Sequence, residues 1–434
     1  MQAFRASILD FIDDPASAPE HCLRYFEDGL LLIDQGLVSA CGDYASLKST
    51  LAEDVEIVDY SGRLIMPGFI DAHLHYAQTD IIASHGSQLL DWLERYTFPE
   101  ERRFSDAAHA QQTAGFFIQE LLRNGTTTAL VFATVHTQSV DAIFAAAAEQ
   151  NMRLISGKVM MDRHAPDFLC DTAQSSYDDS LALIQKWHHH QRLLYAVTPR
   201  FAPTSSPEQL SMAQLLLNQF PDLYLQSHVA EHPGEVEWVK SLFPWSRSYL
   251  DVYDHFGLLG DRSLYAHCIH LDDADRQRLA VSGTAVAFCP SSNLFLGSGL
   301  FDMQAMLQQP VNITIGTDVG AGTSFSLLKT LNDGYKVCQL GGYNLSPLQA
   351  FYLLTLGAAR ALYLDRKLGN FELGKEADFV VLDLHSTPLM RRRMAHAQDL
   401  ADQLFVLMLL GDERNIAATY IMGNCCYRAD AAPC

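Results

Sequence analysis

Eight short runs of apolar and β-branched residues recur along the middle of the chain, separated by segments with helical periodicity. The runs cover residues 64–75, 127–134, 153–162, 193–201, 223–231, 263–271, 284–293 and 312–318. Intervening segments such as 106–123 and 209–220 repeat apolar residues with the period of an amphipathic helix. Eight consecutive strand–helix units predict an α/β fold, a closed (β/α)8 barrel of the TIM type rather than an open sheet.

The two ends of the chain differ from this middle part and are similar to each other. Residues 1–63 contain short runs in which apolar and polar residues alternate, and turn residues separate these runs. The same pattern begins again near residue 366. Alternation of apolar and polar residues is typical of strands with one buried face. We therefore expect residues 1–65 and 370–434 to pair into a small β-sandwich domain, with a catalytic barrel of residues 66–369 inserted between them.

The charge balance narrows the range of partners. Among 434 residues, 30 Lys and Arg oppose 51 Asp and Glu, which gives a formal net charge of −21. Phosphate backbones and anionic lipids repel such a chain. We therefore expect neither nucleic acid nor a membrane as partner, and a small neutral or weakly charged substrate fits better.

Cysteine usage and the first residues bear on the compartment. The nine cysteines are scattered, and they form no C-x-x-C pair, so a disulfide framework is not expected. Asp10, Asp13 and Asp14 interrupt the region where a secretory signal would have its apolar stretch. No apolar run is long enough to span a bilayer. The sequence therefore predicts a cytoplasmic protein.

Residues with metal-binding chemistry stand at the ends of four predicted strands. The first run ends in His73-Leu74-His75, and alternate residues of a strand point to the same side. The ends of the fifth, sixth and eighth runs carry His228 with Glu231, His267 with His270, and Asp318. Active sites of such barrels lie at the carboxyl ends of the strands, so these side chains are expected to converge. Three imidazoles and a carboxylate fit Zn²⁺, with Fe²⁺ as a second choice, and leave room for water.

Each of these residues has an ordinary explanation when taken alone. His228 could be a hydrogen-bonded core histidine, and His267 or His270 could cap a helix. Asp318 could open the last helix as its N-cap. Their joint occurrence on four strand ends favours a shared metal site.

The segment from His228 to His232 also matches the residue pattern of an inverted zinc-protease motif, which requires a helix. Here it follows a strand-like run and precedes Pro233-Gly234, so a helix across it is not expected. We interpret Glu231 as a strand-end carboxylate beside bound water, and His232 as a bystander.

Taken together, these residues resemble a known family. Residues 67–75, which read Pro-Gly-Phe-Ile-Asp-Ala-His-Leu-His, together with His228-x-x-Glu231, His267 and Asp318, are similar to the metal-dependent hydrolases of the amidohydrolase superfamily. Residues 374–383 are similar to the segment that follows the barrel in that superfamily. Residues 88–100, 198–204 and 316–322 resemble its branch that deaminates guanine. The resemblance covers nearly the whole chain.

The resemblance implies a zinc-dependent reaction in which hydroxide attacks C2 of guanine and yields xanthine and ammonia. It implies His73, His75, His228 and Asp318 as metal ligands, and Glu231, Asp318 and His267 as catalytic residues. Relatives with two metals carry a carbamylated lysine at the end of the fourth strand. Arg200 stands there in this chain and cannot be carbamylated, so we expect one zinc per chain, with Fe²⁺ as the second choice.

Substrate recognition can be assigned to the same rim. The resemblance places the substrate against His75, His228, Glu231 and Asp318. Arg200 has donors only and suits the O6 acceptor of guanine, whereas the adenine amine would oppose it. Gln78 has a donor and an acceptor and suits O6 and N1–H. Phe201 is expected to stack on the purine.

Alternatives stay open at this point. Arg200 could instead form an ion pair on the rim, and Phe201 could be ordinary core. A related deaminase or chlorohydrolase acting on 8-oxoguanine, a pterin or a triazine is the second hypothesis, because several of these rings also place a carbonyl beside N–H. A catalytically inactive scaffold would retain the barrel alone, but the complete set of metal residues argues against it. The resemblance also implies a homodimer.

Overall fold

The computed structural model describes residues 1–52, 54–86 and 88–429, and its strands form two sheets. Four strands come first in the chain: β1 (Gln2–Phe11), β2 (Leu23–Asp34), β3 (Leu37–Asp43) and β4 (Ile57–Pro67). The strands of the larger sheet are β5 (Phe69–His75), β6 (Thr126–Phe132), β7 (Arg153–Gly157), β8 (Val159–Met160), β9 (Leu193–Pro199), β10 (Tyr224–Val229), β11 (Ser263–His267), β12 (Ala285–Phe288) and β13 (Asn312–Ile315). This sheet is parallel, with the order β13-β12-β11-β10-β9-β7-β6-β5, and the short β8 pairs with β9.

The first and last strands of this sheet meet just beyond the end of β13. The amide of Asp318 donates to the carbonyl of His73 at 2.8 Å, and the amide of His75 donates to the carbonyl of Val319 at 2.7 Å. Each of the eight predicted runs supplies one strand of the ring, so the predicted TIM-type barrel is confirmed. All residues of β5, β6, β9, β10 and β11 are buried. Burial on both faces explains why these strands are continuous apolar runs in the sequence.

The second sheet is built from both ends of the chain. Its remaining strands are β14 (Phe379–Leu382), β15 (Ile416–Ile421) and β16 (Asn424–Arg428). The seven strands follow the order β16-β15-β14-β4-β1-β2-β3, and only the β1–β4 pair is parallel. The prediction that the two ends form a separate β structure is confirmed, and hydrogen bonds join these strands into one sheet.

The run 64–75 is divided between the two sheets, which corrects the prediction of one strand. Leu64, Ile65, Met66 and Pro67 belong to β4 and pair with β14, and the barrel strand begins only at Phe69. The strand β4 thus extends two residues into the predicted barrel range that begins at residue 66. The domain limits themselves stay a prediction, and residues 430–434 of the second segment lie outside the described residues.

Helices fill most of the connections between barrel strands and also occur in the segments before and after the barrel strands. They are α1 (Tyr44–Lys48), α2 (Leu89–Trp92), α3 (Phe98–Arg102), α4 (Ala107–Arg123), α5 (Thr137–Glu149), α6 (Ala173–Trp187), α7 (Pro207–Gln219), α8 (Pro233–Leu242), α9 (Tyr249–His255), α10 (Asp273–Ser282), α11 (Pro290–Phe295), α12 (Met303–Leu307), α13 (Leu327–Leu340), α14 (Pro347–Tyr352), α15 (Leu356–Ala361), α16 (Pro388–Met394) and α17 (Leu400–Leu410). The predicted helices over 106–123 and 209–220 correspond to α4 and α7, which begin after the N-caps Asp106 and Ser206. In the described part of the chain, no helix is both long and apolar enough to cross a bilayer.

Two additions modify the simple barrel. A π-helical turn, Leu93–Thr97, joins α2 to α3, so residues 89–102 form one helical segment beside the barrel mouth. Between β14 and β15 the chain forms α16 and α17, and α17 packs against α13 and α14. The C-terminal part therefore supplies helices to the barrel side as well as strands to the small sheet.

Candidate active site

The predicted metal-binding residues converge at the carboxyl end of the barrel. His73 and His75 close β5, His228 lies in β10, and Asp318 follows β13. The Nε2 atoms of His75 and His228 are 3.1 Å apart. Oδ1 of Asp318 lies 3.3 Å from Nε2 of His73 and 3.4 Å from Nε2 of His75. All four side chains are buried.

The hydrogen bonds around this cluster leave Nε2 of His73 and Nε2 of His228 available to bind a cation. Nδ1 of His228 lies 2.7 Å from the carbonyl oxygen of Arg200. A carbonyl only accepts, so Nδ1 carries the proton and Nε2 is free to ligate. Both ring nitrogens of His73 and Nδ1 of His75 are buried without a hydrogen-bond partner. Such unpaired buried nitrogens are costly unless another group satisfies them.

The spacing of the donor atoms suits a bound cation. Zinc bonds of about 2.0–2.2 Å at tetrahedral angles place donor atoms roughly 3.3–3.5 Å apart. The observed separations between the imidazole and carboxylate donors are 3.1, 3.3 and 3.4 Å. A buried set of imidazoles and one carboxylate is therefore able to hold a divalent transition metal ion.

Two further groups near the centre have other environments. Nε2 of His267, at the end of β11, lies 3.4 Å from Oε2 of Glu231 and 3.8 Å from Oδ2 of Asp318. Sγ of Cys289 is also close to His73 and Asp318. Burial and the charge of Asp318 hold the pKa of the Cys289 thiol well above its usual range. These surroundings favour the neutral thiol over the thiolate, which is the form that binds a metal.

The remaining histidines of the motif lie elsewhere. His270 is exposed, and its Nε2 lies 2.9 Å from the carbonyl oxygen of Ser298, so it does not join the cluster. His232 caps α8, because its Nδ1 accepts the amide of Gly234 at 3.1 Å. The helix begins only at Pro233, so residues 228–232, which match the zinc-protease motif, do not form a helix.

Glu231 and Asp318 differ in their preferred charge. Burial, with the nearby charge of Asp318, raises the pKa of Glu231 to about 8. Burial alone would also raise the pKa of Asp318, but the imidazoles of His73 and His75 outweigh it and hold that pKa well below its usual range. Two carboxyl groups whose pKa values are pushed apart are typical of acid–base sites.

The backbone at two of these residues is unusual. His267 has a φ of 71° and Asp318 a φ of 51°, both in the left-handed region. A non-glycine residue there costs of order 1 kcal/mol or more and is found most often at functional sites. The surrounding structure therefore holds these two side chains in place against a local preference.

A pocket of about 420 Å³ opens above the cluster. Its polar wall includes His75, His228, Glu231, His267 and Asp318. Its apolar wall consists of Leu89, Trp92, Leu93, Phe201, Leu296 and Ala321. A small pocket with one apolar wall and a few directed polar groups suits a flat heteroaromatic ligand.

All three residues predicted to read the substrate line this pocket, namely Gln78, Arg200 and Phe201. Arg200 also forms the ion pair that was the alternative for it. Its Nη1 donates to both carboxylate oxygens of Glu101, at 2.8 and 2.9 Å, and both side chains are buried. The pairing uses one nitrogen of the guanidinium, so it orients the group within the pocket wall.

The amide of Gln78 has a defined orientation. Its Oε1 accepts the backbone N–H of Gly320 at 3.3 Å, so Nε2 is the end left for a ligand. Phe201 packs edge-on against Trp238, with ring centroids 6.2 Å apart, and is both pocket wall and core. The sequence predicts that Gln78 offers a ligand both a donor and an acceptor. In the structure only its donor, Nε2, is left for the ligand.

Several residues at the site were missed by the sequence analysis. Glu101 is a charged residue in a helical segment, and no pattern identifies its partner. Glu235 lines the pocket, accepts the amide of Glu231 at 3.0 Å and accepts the hydroxyl of Tyr249 at 2.7 Å. Glu235 lies three residues after the N-cap of α8, and this capping-box pattern could have identified it from the sequence. Asn293 and Ser298, which contact His267 and Glu231, had no such signal.

Comparisons with known proteins identify the family of this chain. The model of the amidohydrolase family matches residues 64–426. Guanine deaminase of Escherichia coli (strain K12) is 52% identical over 430 residues, which cover 98% of each protein. The solved structure of E. coli guanine deaminase matches with a TM-score of 0.97 at 52% identity, covering 99% of this chain and 100% of that one. Guanine deaminase of C. acetobutylicum, solved with guanine in its active site, matches with a TM-score of 0.87 at 29% identity over 98% of this chain and 100% of that one. By sequence and by structure, this chain belongs to the amidohydrolase family.

Proposed function

We propose that this protein is a hydrolase that deaminates guanine at C2 to give xanthine and ammonia. The observation that carries the proposal is one pocket in which a buried imidazole–carboxylate cluster and Glu231 face Arg200 and Gln78. The first part of this arrangement suits activation of water, and the second suits a purine with a carbonyl. The extended similarity to proteins named guanine deaminase supports the same substrate.

We propose one zinc ion per chain, held by His73, His75, His228 and Asp318, with Fe²⁺ as the second choice. When bound, such an ion lowers the pKa of a water ligand toward about 7 and polarises it for nucleophilic attack. The buried Nε2 of His73, which has no hydrogen-bond partner and lies 3.3 Å from Oδ1 of Asp318, supports this assignment. Arg200 follows the fourth barrel strand, and its fixed positive charge disfavours a second cation there.

Glu231 is placed to move the protons of the reaction. It accepts a proton from the attacking water, with Asp318 as a second acceptor, and delivers a proton to N3 of the ring. A C–O bond forms at C2. Asp318 takes the second proton of the attacking water as the C2 carbonyl forms, and this proton passes through Glu231 to the exocyclic nitrogen as the C–N bond breaks and ammonia leaves. The raised pKa of Glu231 suits a group that holds and releases a proton near neutral pH. His267 is placed to hydrogen-bond the oxygen that adds to C2.

Recognition of guanine rests on donors that face its O6. The guanidinium of Arg200 and Nε2 of Gln78 both donate, whereas adenine has an amino group at that position. A site that must hydrogen-bond a carbonyl rejects a ring that lacks it, because buried donors are then left unpaired. Phe201 and the apolar wall of the pocket are placed to contact the ring face.

Ammonia release tests the proposal directly. Protein assayed for zinc and iron would be supplied with guanine, 8-oxoguanine, adenine, cytosine and a pterin. We expect turnover mainly of guanine, with about one metal ion per chain. Metal-loaded protein that leaves guanine unchanged and acts on another ring would refute the substrate and favour the related deaminases. Protein with no metal and no turnover would refute the enzymatic proposal.

Assembly and location are further parts of the proposal. We propose a homodimer in the cytoplasm, with guanine as its small-molecule partner and no nucleic acid or membrane partner. The net charge of −21 supports the absence of nucleic acid. Light scattering on purified protein would give twice the chain mass of 48.3 kDa for a dimer, and the single chain mass would refute that assembly.

A further inference from the structure

Two residues of the segment after the seventh barrel strand contact catalytic side chains from outside the pocket, whereas Leu296 of the same segment lines the pocket. This segment comprises α11 and the turn up to Ser298, and none of the proposed metal ligands or substrate-reading residues lies in it. Asn293 and Ser298 are both buried. They are joined to each other, because the amide of Ser298 donates to the carbonyl of Asn293 at 2.9 Å.

Ser298 holds one oxygen of Glu231. Its hydroxyl donates to Oε1 at 3.1 Å, while Oε2 of the same carboxyl lies 3.4 Å from Nε2 of His267. A hydrogen bond on one oxygen fixes the rotation of the carboxyl group and so directs the other oxygen toward the reaction centre. The backbone carbonyl of Ser298 lies 2.9 Å from Nε2 of His270, which anchors the turn itself.

Asn293 holds the imidazole of His267 in the same way. Its Oδ1 lies 2.9 Å from Nδ1 of His267, and its Nδ2 is buried without a partner. An Asn oxygen accepts, so the ring keeps its proton on Nδ1 and its plane is fixed. Because Nδ2 has no hydrogen-bond partner, the side chain of Asn293 is held through the contact of its Oδ1 with His267.

We propose that two residues of this segment are positioning residues: Ser298 orients Glu231, and Asn293 orients His267, for the proposed deamination. Neither residue is catalytic, because neither lines the pocket. The inference rests on the proposed function for its kinetic test only, since the geometry it describes exists without substrate.

The chain offers a matched control in the same segment. Ser292 is buried like Ser298, but its hydroxyl has no hydrogen-bond partner. Ser298→Ala and Ser292→Ala therefore remove the same atom from the same segment, and only the first removes a contact with Glu231. Ser298→Thr keeps a hydroxyl, and Asn293→Asp keeps an acceptor that Asn293→Leu removes.

Steady-state kinetics on guanine would compare these variants at equal metal content. Loss of an outer positioning contact costs about 10–100-fold in activity. We expect kcat to fall by that amount in Ser298→Ala and in Asn293→Leu, with KM little changed. Ser298→Thr and Asn293→Asp should recover most of the loss, and Ser292→Ala should equal wild type. Wild-type kcat in Ser298→Ala, or an equal fall in Ser292→Ala, would overturn the proposal.

A crystal structure of Ser298→Ala separates this inference from the substrate assignment. We expect the carboxyl of Glu231 to rotate away from its 3.4 Å contact with His267. An unchanged carboxyl would overturn the positioning role, whatever the kinetics show. If the wild type fails to deaminate guanine, the proposed function is refuted and this structural result still decides the inference.

Discussion

At the scale of single residues, Glu231 and Asp318 share a buried site but are pushed toward opposite charge states. Burial raises the pKa of Glu231 to about 8, whereas neighbouring imidazoles keep the pKa of Asp318 low. A carboxyl that can hold a proton beside one that stays ionised divides the work of proton transfer and of holding a cation. The charges around each carboxyl group therefore decide which of the two roles it takes.

Replacing Glu231 by Gln tests the proton-transfer role. The amide keeps the size and an acceptor for Ser298 but cannot take up or release the proton. We expect kcat to fall by about 10²–10⁴-fold, with the metal content unchanged. Exposed Glu237→Gln in α8 is the matched control and should equal wild type. Full activity in Glu231→Gln would remove Glu231 from the mechanism.

Replacing Arg200 by Lys tests substrate reading without leaving Glu101 unpaired in the protein interior. Lysine keeps the positive charge but loses the planar arrangement of several donors. We expect KM for guanine to rise about tenfold or more, with a smaller change in kcat. Arg24→Lys, at an arginine paired with Asp10 in the small sheet, is the control. An unchanged KM would exclude Arg200 from contact with the purine.

At the scale of elements, barrel closure brings the two halves of the metal cluster together. Gly316 follows β13 at the point where the chain approaches β5. A Cβ at Gly316 would lie 2.7 Å from Cβ of His73 and 2.8 Å from its carbonyl oxygen. Only glycine permits this approach, which places Asp318 beside His73.

Gly316→Ala should therefore separate the metal ligands. Overpacking of this kind costs about 1–3 kcal/mol and shifts the backbone. We expect a lower melting temperature, less bound metal per chain and lost turnover. Gly115→Ala is the control, because that exposed glycine of α4 has no atoms near its added Cβ and should gain up to about 1 kcal/mol. Normal metal content in Gly316→Ala would contradict this account of closure.

The strands and the site residues differ in how well they could be predicted from the sequence. The eight barrel strands could be predicted because parallel strands that are buried on both faces consist of nearly continuous apolar residues. The division of the run 64–75 could not, since β4 and β5 are both apolar and successive in the chain. The strand-end histidines could be found from the position rule of the fold. Asn293 and Ser298 could not, because their contacts depend on the path of the chain after β12.

At the scale of the whole molecule, an ion-pair cluster joins the barrel to the small sheet. Arg153 begins β7 and Arg192 precedes β9, at the barrel end opposite the pocket. Glu376 and Asp378 precede β14 of the small sheet. Nε of Arg153 donates to Glu376 at 3.0 Å, and Nη2 of Arg192 lies 2.5 Å from both carboxyl groups.

This cluster makes stability depend on pH in a defined direction. Burial opposes ionisation of Glu376, but Arg192 and Arg153 outweigh it and lower its pKa below the ordinary value of 4.5. A carboxyl with a depressed pKa contributes its full stabilisation above its unfolded pKa. That contribution is lost as the pH falls through the folded pKa. The cluster should therefore stabilise the protein at neutral pH and fail in acid.

Glu376→Gln should lower the melting temperature at pH 7, since breaking a partly buried ion pair from one side costs less than the roughly 3–5 kcal/mol of a fully buried one. The difference from wild type should shrink as the pH falls below about 4.5, where the wild-type carboxyl also loses its charge. Thermal unfolding followed by circular dichroism across this range measures both effects. Exposed Glu149→Gln in α5 should match wild type at every pH. A difference that stays constant from pH 7 into acid would show that packing, and not the charge of Glu376, joins the two sheets.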